Sequence, residues 1–326
     1  MASRPGEDDL IKHFFAPIAG PEGLGLADDA ALLSPPPGQD LVLTADALVA
    51  GVHFFADDPP DAIARKALRV NLSDLAAKGA RPLGFLLSLV LPHDWRVEWL
   101  EAFAAGLGDD AAAYRCALMG GDTVSTPGPL TLSVTAIGAA PAGRMARRAG
   151  VRPGDRLYVT GTIGDAAIGL QIRQGRGPEV SRADRDFLTG RYLLPEPRTA
   201  LATAMAAHAR GGMDISDGFV GDLTKMLSVS GVTAQIPIDR IPLSSSARAA
   251  IAANPDLLAI AATGGDDYEI LAAVPPAECA AFEGEARTAG VPVTSVGDAV
   301  EGDGPPRFFC PDRDTISFGS GSYSHF

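Results

Sequence analysis

Seven aspartates recur where apolar segments begin or end: Asp28, Asp29, Asp46, Asp74, Asp122, Asp214 and Asp217. Their hard oxygens suit Mg²⁺, which demands octahedral ligation and usually shares its shell with water and phosphate. Carboxylates gathered without a cation repel one another, and some take up protons. A divalent ion removes that cost. Taken singly, each aspartate has an ordinary explanation as a helix cap or turn residue. The local contexts argue for more. Thr44-Ala45-Asp46 ends an apolar strand, and Asp74 stands between Leu72 and Leu75, where a carboxylate needs a partner. Gly120-Gly121-Asp122-Thr123 sets bare backbone beside an acid and a hydroxyl, which suits close approach of a phosphate. Met213-Asp214-Ile215-Ser216-Asp217-Gly218 puts two acids and a hydroxyl just before a helix, whose free N–H groups receive anions.

Composition narrows the function classes. The 326 residues carry a formal net charge of −13, and such a field repels nucleic-acid phosphates. The nearest thing to a basic cluster is Arg144, Arg147, Arg148 and Arg152. An acidic chain that binds a polyphosphate needs cations to mediate, so the charge favours a divalent-metal partner. No apolar run reaches the ~18 residues of a membrane span, and the N-terminal segment lacks a signal-peptide stretch. Cys116, Cys279 and Cys310 lie far apart and show no metal spacing, which reads as reduced thiols in a cytoplasmic protein. There is no G-x-x-x-x-G-K-[ST], no H-E-x-x-H and no G-x-S-x-G. Gly161-Thr162-Ile163-Gly164-Asp165 reads as a structural turn between a strand and a helix.

The elements that must position these residues alternate. Apolar patterning predicts a short helix over 9–15, a strand over 40–47, a helix over 61–80 and a strand over 84–91. A helix over 95–114 and a strand over 130–138 complete a β-α-β-α-β order, which is a mixed α/β or α+β domain. Trp95 and Trp99, four apart on that second long helix, read as core or interface residues. Pro, Gly and Arg cluster over 141–153, so a boundary near residue 140 is expected, giving domains 1–140 and 141–326. In the second domain a strand is expected over 155–160, helices from 165, over 199–210 and over 219–230, and strands over 257–262 and 268–274.

Seven short motifs occur in one order along the chain. They are Asp28-Asp29-Ala30-Ala31, Thr44-Ala45-Asp46 through Gly51-Val52-His53-Phe54, Asn71-Leu72-Ser73-Asp74-Leu75-Ala76, Gly120-Gly121-Asp122-Thr123, Asp214-Ile215-Ser216-Asp217-Gly218, Gly264-Gly265-Asp266-Asp267-Tyr268-Glu269 and Tyr323-Ser324-His325-Phe326. Together they resemble the thiamine-monophosphate kinase family, in the superfamily of aminoimidazole ribonucleotide synthetase-like ATP-binding proteins. The resemblance implies two α/β domains, with N-terminal domains pairing in a homodimer and ATP near the dimer-facing groove. It implies ATP- and Mg²⁺-dependent conversion of thiamine monophosphate to thiamine diphosphate, with several Mg²⁺ ions. Carried over by position, Asp28, Thr44, Asp46, Asp74, Asp122, Asp214 and Asp217 would be metal ligands, with Asp46, Asp122 and Asp217 central to catalysis. Gly121, Asp122, Arg148 and Ser216 would hold ATP, and His53, Glu269 and Tyr323 would contact thiamine monophosphate. The chain departs from the family at Ala45, at Asp266 (one methylene shorter than the usual glutamate) and near Ala104, where a nucleotide-stacking tyrosine is expected. A reactive cysteine near the N-terminus, expected of selenophosphate synthetase, is missing. The expected chemistry is direct attack of the acceptor phosphate on the γ-phosphorus of ATP. That phosphate is largely ionised near pH 7, since its second pKa is about 6, so no strong general base is required.

Overall fold

The computed structural model describes residues 6–310 and 315–318. It divides into two compact units, one of residues 1–75 and 81–143, the other of residues 76–80 and 144–326.

In the first unit a short helix α1 (Glu7–Leu10) precedes β1 (Gln39–Val49), α2 (Pro60–Ala77), β2 (Arg81–Pro92), α3 (Val97–Ala113), β3 (Ala117–Thr126) and β4 (Thr131–Pro141). The strands form one sheet in the order β1-β4-β2-β3. β4 runs antiparallel to both β1 and β2, and β2 runs parallel to β3. Period-two alternation sorts β1 into two faces. Val42 and Leu48 are buried and Thr44 and Asp46 half-buried, whereas Leu41, Leu43, Ala45 and Ala47 are exposed. The Thr44 hydroxyl donates to Asp74 on α2, so α2 covers the Val42 face. α2 can do so because Ile63, Ala64, Ala67, Leu68, Leu72 and Leu75 recur at helical spacing, each at most 2% exposed. Each leucine buried this way contributes about 1.5–3 kcal/mol. The opposite face of the sheet keeps Leu43 and Leu86 in the open, at 63% and 37% exposure.

The second unit contains β5 (Arg156–Thr160), α4 (Asp165–Arg173), α5 (Arg182–Leu193), α6 (Ala202–His208), β6 (Gly211–Ile215), α7 (Phe219–Ser230) and β7 (Val232–Pro237). These are followed by α8 (Ser245–Ala253), α9 (Leu257–Thr263), β8 (Glu269–Val274), α10 (Cys279–Thr288), β9 (Val293–Glu301), β10 (Arg307–Phe309) and β11 (Thr315–Ile316). The sheet order is β11-β10-β7-β9-β5-β8-β6. Every residue of β8 is buried, because helices cover both faces. Leu271 and Ala273 join the core around Phe219, Leu223 and Met226 of α7. Ile270, Ala272 and Val274 join the core around Met205 of α6 and Phe282 of α10.

One expected element changes type. Residues 257–262 form the helix α9, not a strand. A six-residue apolar run carries no period that separates the two, and its leucines and alanines are strong helix formers. The helix buries Leu257 and Ala261, four apart, among Ile168, Leu188 and Ala250.

Candidate functional site

Each unit presents its own acidic edge. In the first, Thr44 and Asp46 are two residues apart on β1 and share a face, and Thr44 Oγ1 bonds Asp74 Oδ2 from α2. A hydroxyl and two carboxylates thus stand together on a strand–helix seam. All three donors are hard oxygens, the chemistry Mg²⁺ takes.

Asp122 does not join them. Asp46 lies opposite Val134, Val134 opposite Leu87, and Leu87 opposite Gly121. Asp122 belongs to the next row, with Ser88, Ser133 and Ala47, and so points to the other face of the sheet. The cause is a bulge. After Phe85 pairs with Leu118, Leu86 pairs with Gly120, and Met119 is left over. The extra residue inverts the alternation of everything after it.

On that face Asp122 lines a cavity of about 750 Å³ with Asp28, Asp29, Gly120, Gly121 and Ser88. The N-terminal segment brings Asp28 there because it is strapped to β3. Gly20 N–H donates to the Leu118 carbonyl at 2.8 Å, and Ala19 bridges Leu118. Leu24 and Leu26 take left-handed φ values of 51° and 54°, a strained approach that the packing against β3 enforces. Gly121 is required where it stands: a Cβ would lie 1.8 Å from the Leu87 carbonyl oxygen. Among the described residues no three His, Cys, Asp or Glu side chains form one ready-made metal cluster.

His53 follows β1 in a tight turn. The Val49 N–H donates to its Nδ1 at 3.0 Å, so a neutral ring carries its proton on Nε2. The buried Lys66 ammonium donates to the His53 carbonyl at 3.1 Å and holds the turn from below.

In the second unit Asp214 is the last residue but one of β6 and is buried, and Ser216 and Asp217 lead into α7. Two residues missed in the sequence shape this loop. Asp222, in the first turn of α7, accepts the N–H groups of Ser216 and Asp217 at 3.0 and 2.9 Å. Lys225 lies 2.6 Å from Asp217 and 2.9 Å from Asp222. Burial pushes the Asp222 carboxyl above its ordinary value, against the pull of Lys225. Burial also works against the Lys225 charge, but its bonds to Asp217 and Asp222 win and raise it. Asp217, expected as a metal ligand, is held here in an ion pair with Lys225. A spacing of three between Asp222 and Lys225 on a helix was the available signal. Arg148 is exposed, and its carbonyl accepts from Ser230 at 3.1 Å.

Glu269, expected to contact thiamine monophosphate, is fully buried. Its side chain has no exposed surface, and Thr160, Arg191 and Arg198 occupy both its oxygens. It is a buried anchor with no surface to offer a substrate. The accessible acid of the same motif is Asp266, which is half-buried and left-handed at φ 74°. Asp267, fully buried, accepts the N–H groups of Gly164 and Ala166 at the start of α4. Burial pushes its carboxyl well above the usual range, and those two bonds oppose the shift. The Gly161–Gly164 turn is structural, as the sequence suggested: Cβ atoms there would strike Glu269 and Ala261. Tyr323 lies outside the described residues.

Residues 27–140 match the family model for the AIR synthase related protein N-terminal domain, and residues 152–306 match that for the C-terminal domain. The chain is 45% identical over 313 residues to the thiamine-monophosphate kinase of Caulobacter vibrioides, covering 94% of this chain and 88% of the relative. The crystal structure of the thiamine-monophosphate kinase from Stenotrophomonas maltophilia superposes with a TM-score of 0.80 at 38% identity, covering 88% of this chain and 90% of that one. The solved structure of "AaThiL complexed with AMPPCP and TMP" is similar over the full length of both chains, with a TM-score of 0.78 and 28% identity.

Proposed function

The chain belongs to the thiamine-monophosphate kinase family of AIR synthase related proteins, and from that premise we propose how its residues carry the family's reaction. The protein phosphorylates thiamine monophosphate to thiamine diphosphate at the expense of ATP. A relative's structure that holds an ATP analogue together with TMP supports this. The observation that carries the site is the hydroxyl–carboxylate seam of Thr44, Asp46 and Asp74.

An acceptor phosphate oxygen attacks the γ-phosphorus of ATP in line. The new P–O bond forms as the bond to the β-phosphate oxygen breaks, and ADP leaves. Phosphoryl transfer asks the protein for placement and charge neutralisation more than for covalent chemistry. Thr44, Asp46 and Asp74 would hold one Mg²⁺ at the inner seam of the first unit, and Asp28 and Asp122 a separate ion on the outer sheet face. Asp214 and Asp217 are the corresponding acids of the second unit. When bound, Mg²⁺ neutralises charge on the transferring phosphoryl group and lets two anions approach.

The outer face of the first sheet suits the two other roles expected of it. Its cavity offers the bare backbone of Gly120 and Gly121 beside Asp122, a fitting place for ATP phosphates. Its exposed Leu41, Leu43, Leu86 and Val124 suit pairing with a second copy, giving a homodimer. Ser216 and Arg148 are proposed as further ATP contacts. His53, through Nε2, and Asp266, in place of Glu269, are proposed to meet the acceptor. Tyr323 keeps its proposed acceptor role from the resemblance alone.

The test is ADP release coupled to a spectrophotometric assay. Thiamine monophosphate should support turnover, and thiamine and aminoimidazole precursors should not. Chelation of Mg²⁺ should stop it, and Asp46→Asn should cost about 10²-fold or more in kcat with an unchanged circular dichroism spectrum. A wild-type rate from Asp46→Asn at ordinary Mg²⁺ would remove the seam from the site.

A further inference from the structure

Beneath the Gly264–Tyr268 loop lies a buried ionic group that the phosphate chemistry does not use. Glu269, the first residue of β8, accepts Thr160 Oγ1 at 2.6 Å, one Arg191 nitrogen at 2.8 Å, and Arg198 Nε and an outer Arg198 nitrogen at 2.7 and 2.6 Å. The Thr160 hydroxyl in turn accepts the Ile270 N–H at 2.7 Å. The Arg191 and Arg198 side chains are only 12% and 11% exposed. Each also reaches the exposed Glu196, at 3.3 and 2.9 Å. The backbone of Gly161 rests directly on this group, where a Cβ would sit 2.1 Å from Glu269 Oε1 and 2.5 Å from Arg198.

The loop above is strained in a patterned way. Asp266 and Tyr268 are left-handed, with φ of 74° and 51°, and neither is glycine. Asp267 and Glu269 alternate with them and are buried, while Asp266 and Tyr268 stay half-buried. The strained residues are also pinned by their backbone, Asp266 N–H to the Ser216 carbonyl at 2.9 Å and Tyr268 N–H to the Ile215 carbonyl at 2.8 Å. Such geometry persists only where its surroundings over-determine it. Fixed carboxylates at Asp267 and Glu269 supply that constraint, and the fork of Arg198, meeting both Glu269 oxygens, fixes the second of them in rotation.

We propose that Arg191 and Arg198 are positioning residues for the acceptor: by clamping Glu269 they hold Asp266 and Tyr268 in the conformation that meets thiamine monophosphate. This rests on the reading of the loop as an acceptor contact. The role depends on the planar fork and not on charge alone, so lysine cannot replace arginine at residue 198.

The experiment is steady-state kinetics of the full chain with Mg²⁺, ATP and thiamine monophosphate, run below the melting temperature of each variant. Arg198→Lys should raise KM for thiamine monophosphate about ten-fold or more, as a small displacement of a binding group does, and leave KM for ATP within about two-fold. Arg191→Lys, which loses a single bond to Glu269, should show the same split more weakly, and it decides the matter if Arg198→Lys does not fold. Equal rises in both Michaelis constants, or no change in either, overturn the inference. Asp266→Asn separates the two layers. If it leaves the acceptor KM unchanged, the loop is not the acceptor contact and both readings fall. If it raises that KM while Arg198→Lys does not, only the positioning role falls.

Discussion

Replacing Gly121 by alanine tests the sheet geometry on which the outer-face cavity depends. The added Cβ would stand 1.8 Å from the Leu87 carbonyl oxygen, 2.7 Å from its carbon and 3.0 Å from the Leu87 nitrogen. All three are backbone atoms, so no side chain can swing aside. Ordinary contact begins at 3.4 Å, so β2 and β3 must part locally by about 1.6 Å, the difference between the two distances. Two ladder hydrogen bonds at about 1 kcal/mol each are then lost or stretched, and overpacking adds about 1–3 kcal/mol. Reduced entropy of the unfolded chain returns about 0.4–1 kcal/mol. The net cost is about 3 kcal/mol, which lowers the first thermal transition by about 6–12 °C for a domain of this size. Gly120→Ala is the control, since its Cβ meets nothing nearer than a Leu86 methyl at 3.4 Å. Thermal unfolding by circular dichroism compares the two. A Gly121→Ala protein melting within about 2 °C of Gly120→Ala would refute the register drawn between β2 and β3.

Two further outcomes are expected. His208 on α6 bonds Glu278 at 2.8 Å and lies 3.1 Å from Glu285; burial opposes its charge, but the two carboxylates outweigh that and raise its pKa above 6.5. Its stabilising contribution is thus full below pH 6.5 and is lost as pH rises through the folded value, so between pH 6 and 9 the wild type should lose more melting temperature than His208→Gln; parallel curves would exclude the pair. Leu43→Glu puts a charge at a residue 63% exposed on the outer sheet face; if the proposed homodimer pairs through that face, the variant should sediment as a monomer and the wild type as a dimer, with the secondary structure retained, and equal sedimentation coefficients would refute pairing through this face.

Much of the molecule was legible in the chain. Apolar periodicity gives β1, α2, β2, α3 and β4 of the first unit but passes over β3, whose glycines and polar residues interrupt the apolar pattern, and α7 occupies the expected residues 219–230. The acids are expected at strand and helix ends, but Asp46 and Asp122 stand within β1 and β3, where a carboxylate needs solvent or a cation. What failed were inferences that local pattern does not carry. The run at 257–262 has no period of its own, and packing against α4 and α8 made it helical. Glu269 looked like a site residue because it belongs to a recognisable motif. Its partners Arg191 and Arg198 come from 71 to 78 residues away, and nothing in the motif announces them.

The sequence by itself determined the inventory: most elements of the first unit, the acids themselves, and a strongly acidic net charge. Only the tertiary structure decided which acids share a face. Side chains alternate with a period of two along a strand, so one unpaired residue, Met119, turns Asp122 away from Asp46 and toward Asp28. That choice is made by pairing between β2 and β3, strands separated by a whole helix, and no stretch of either strand records it alone.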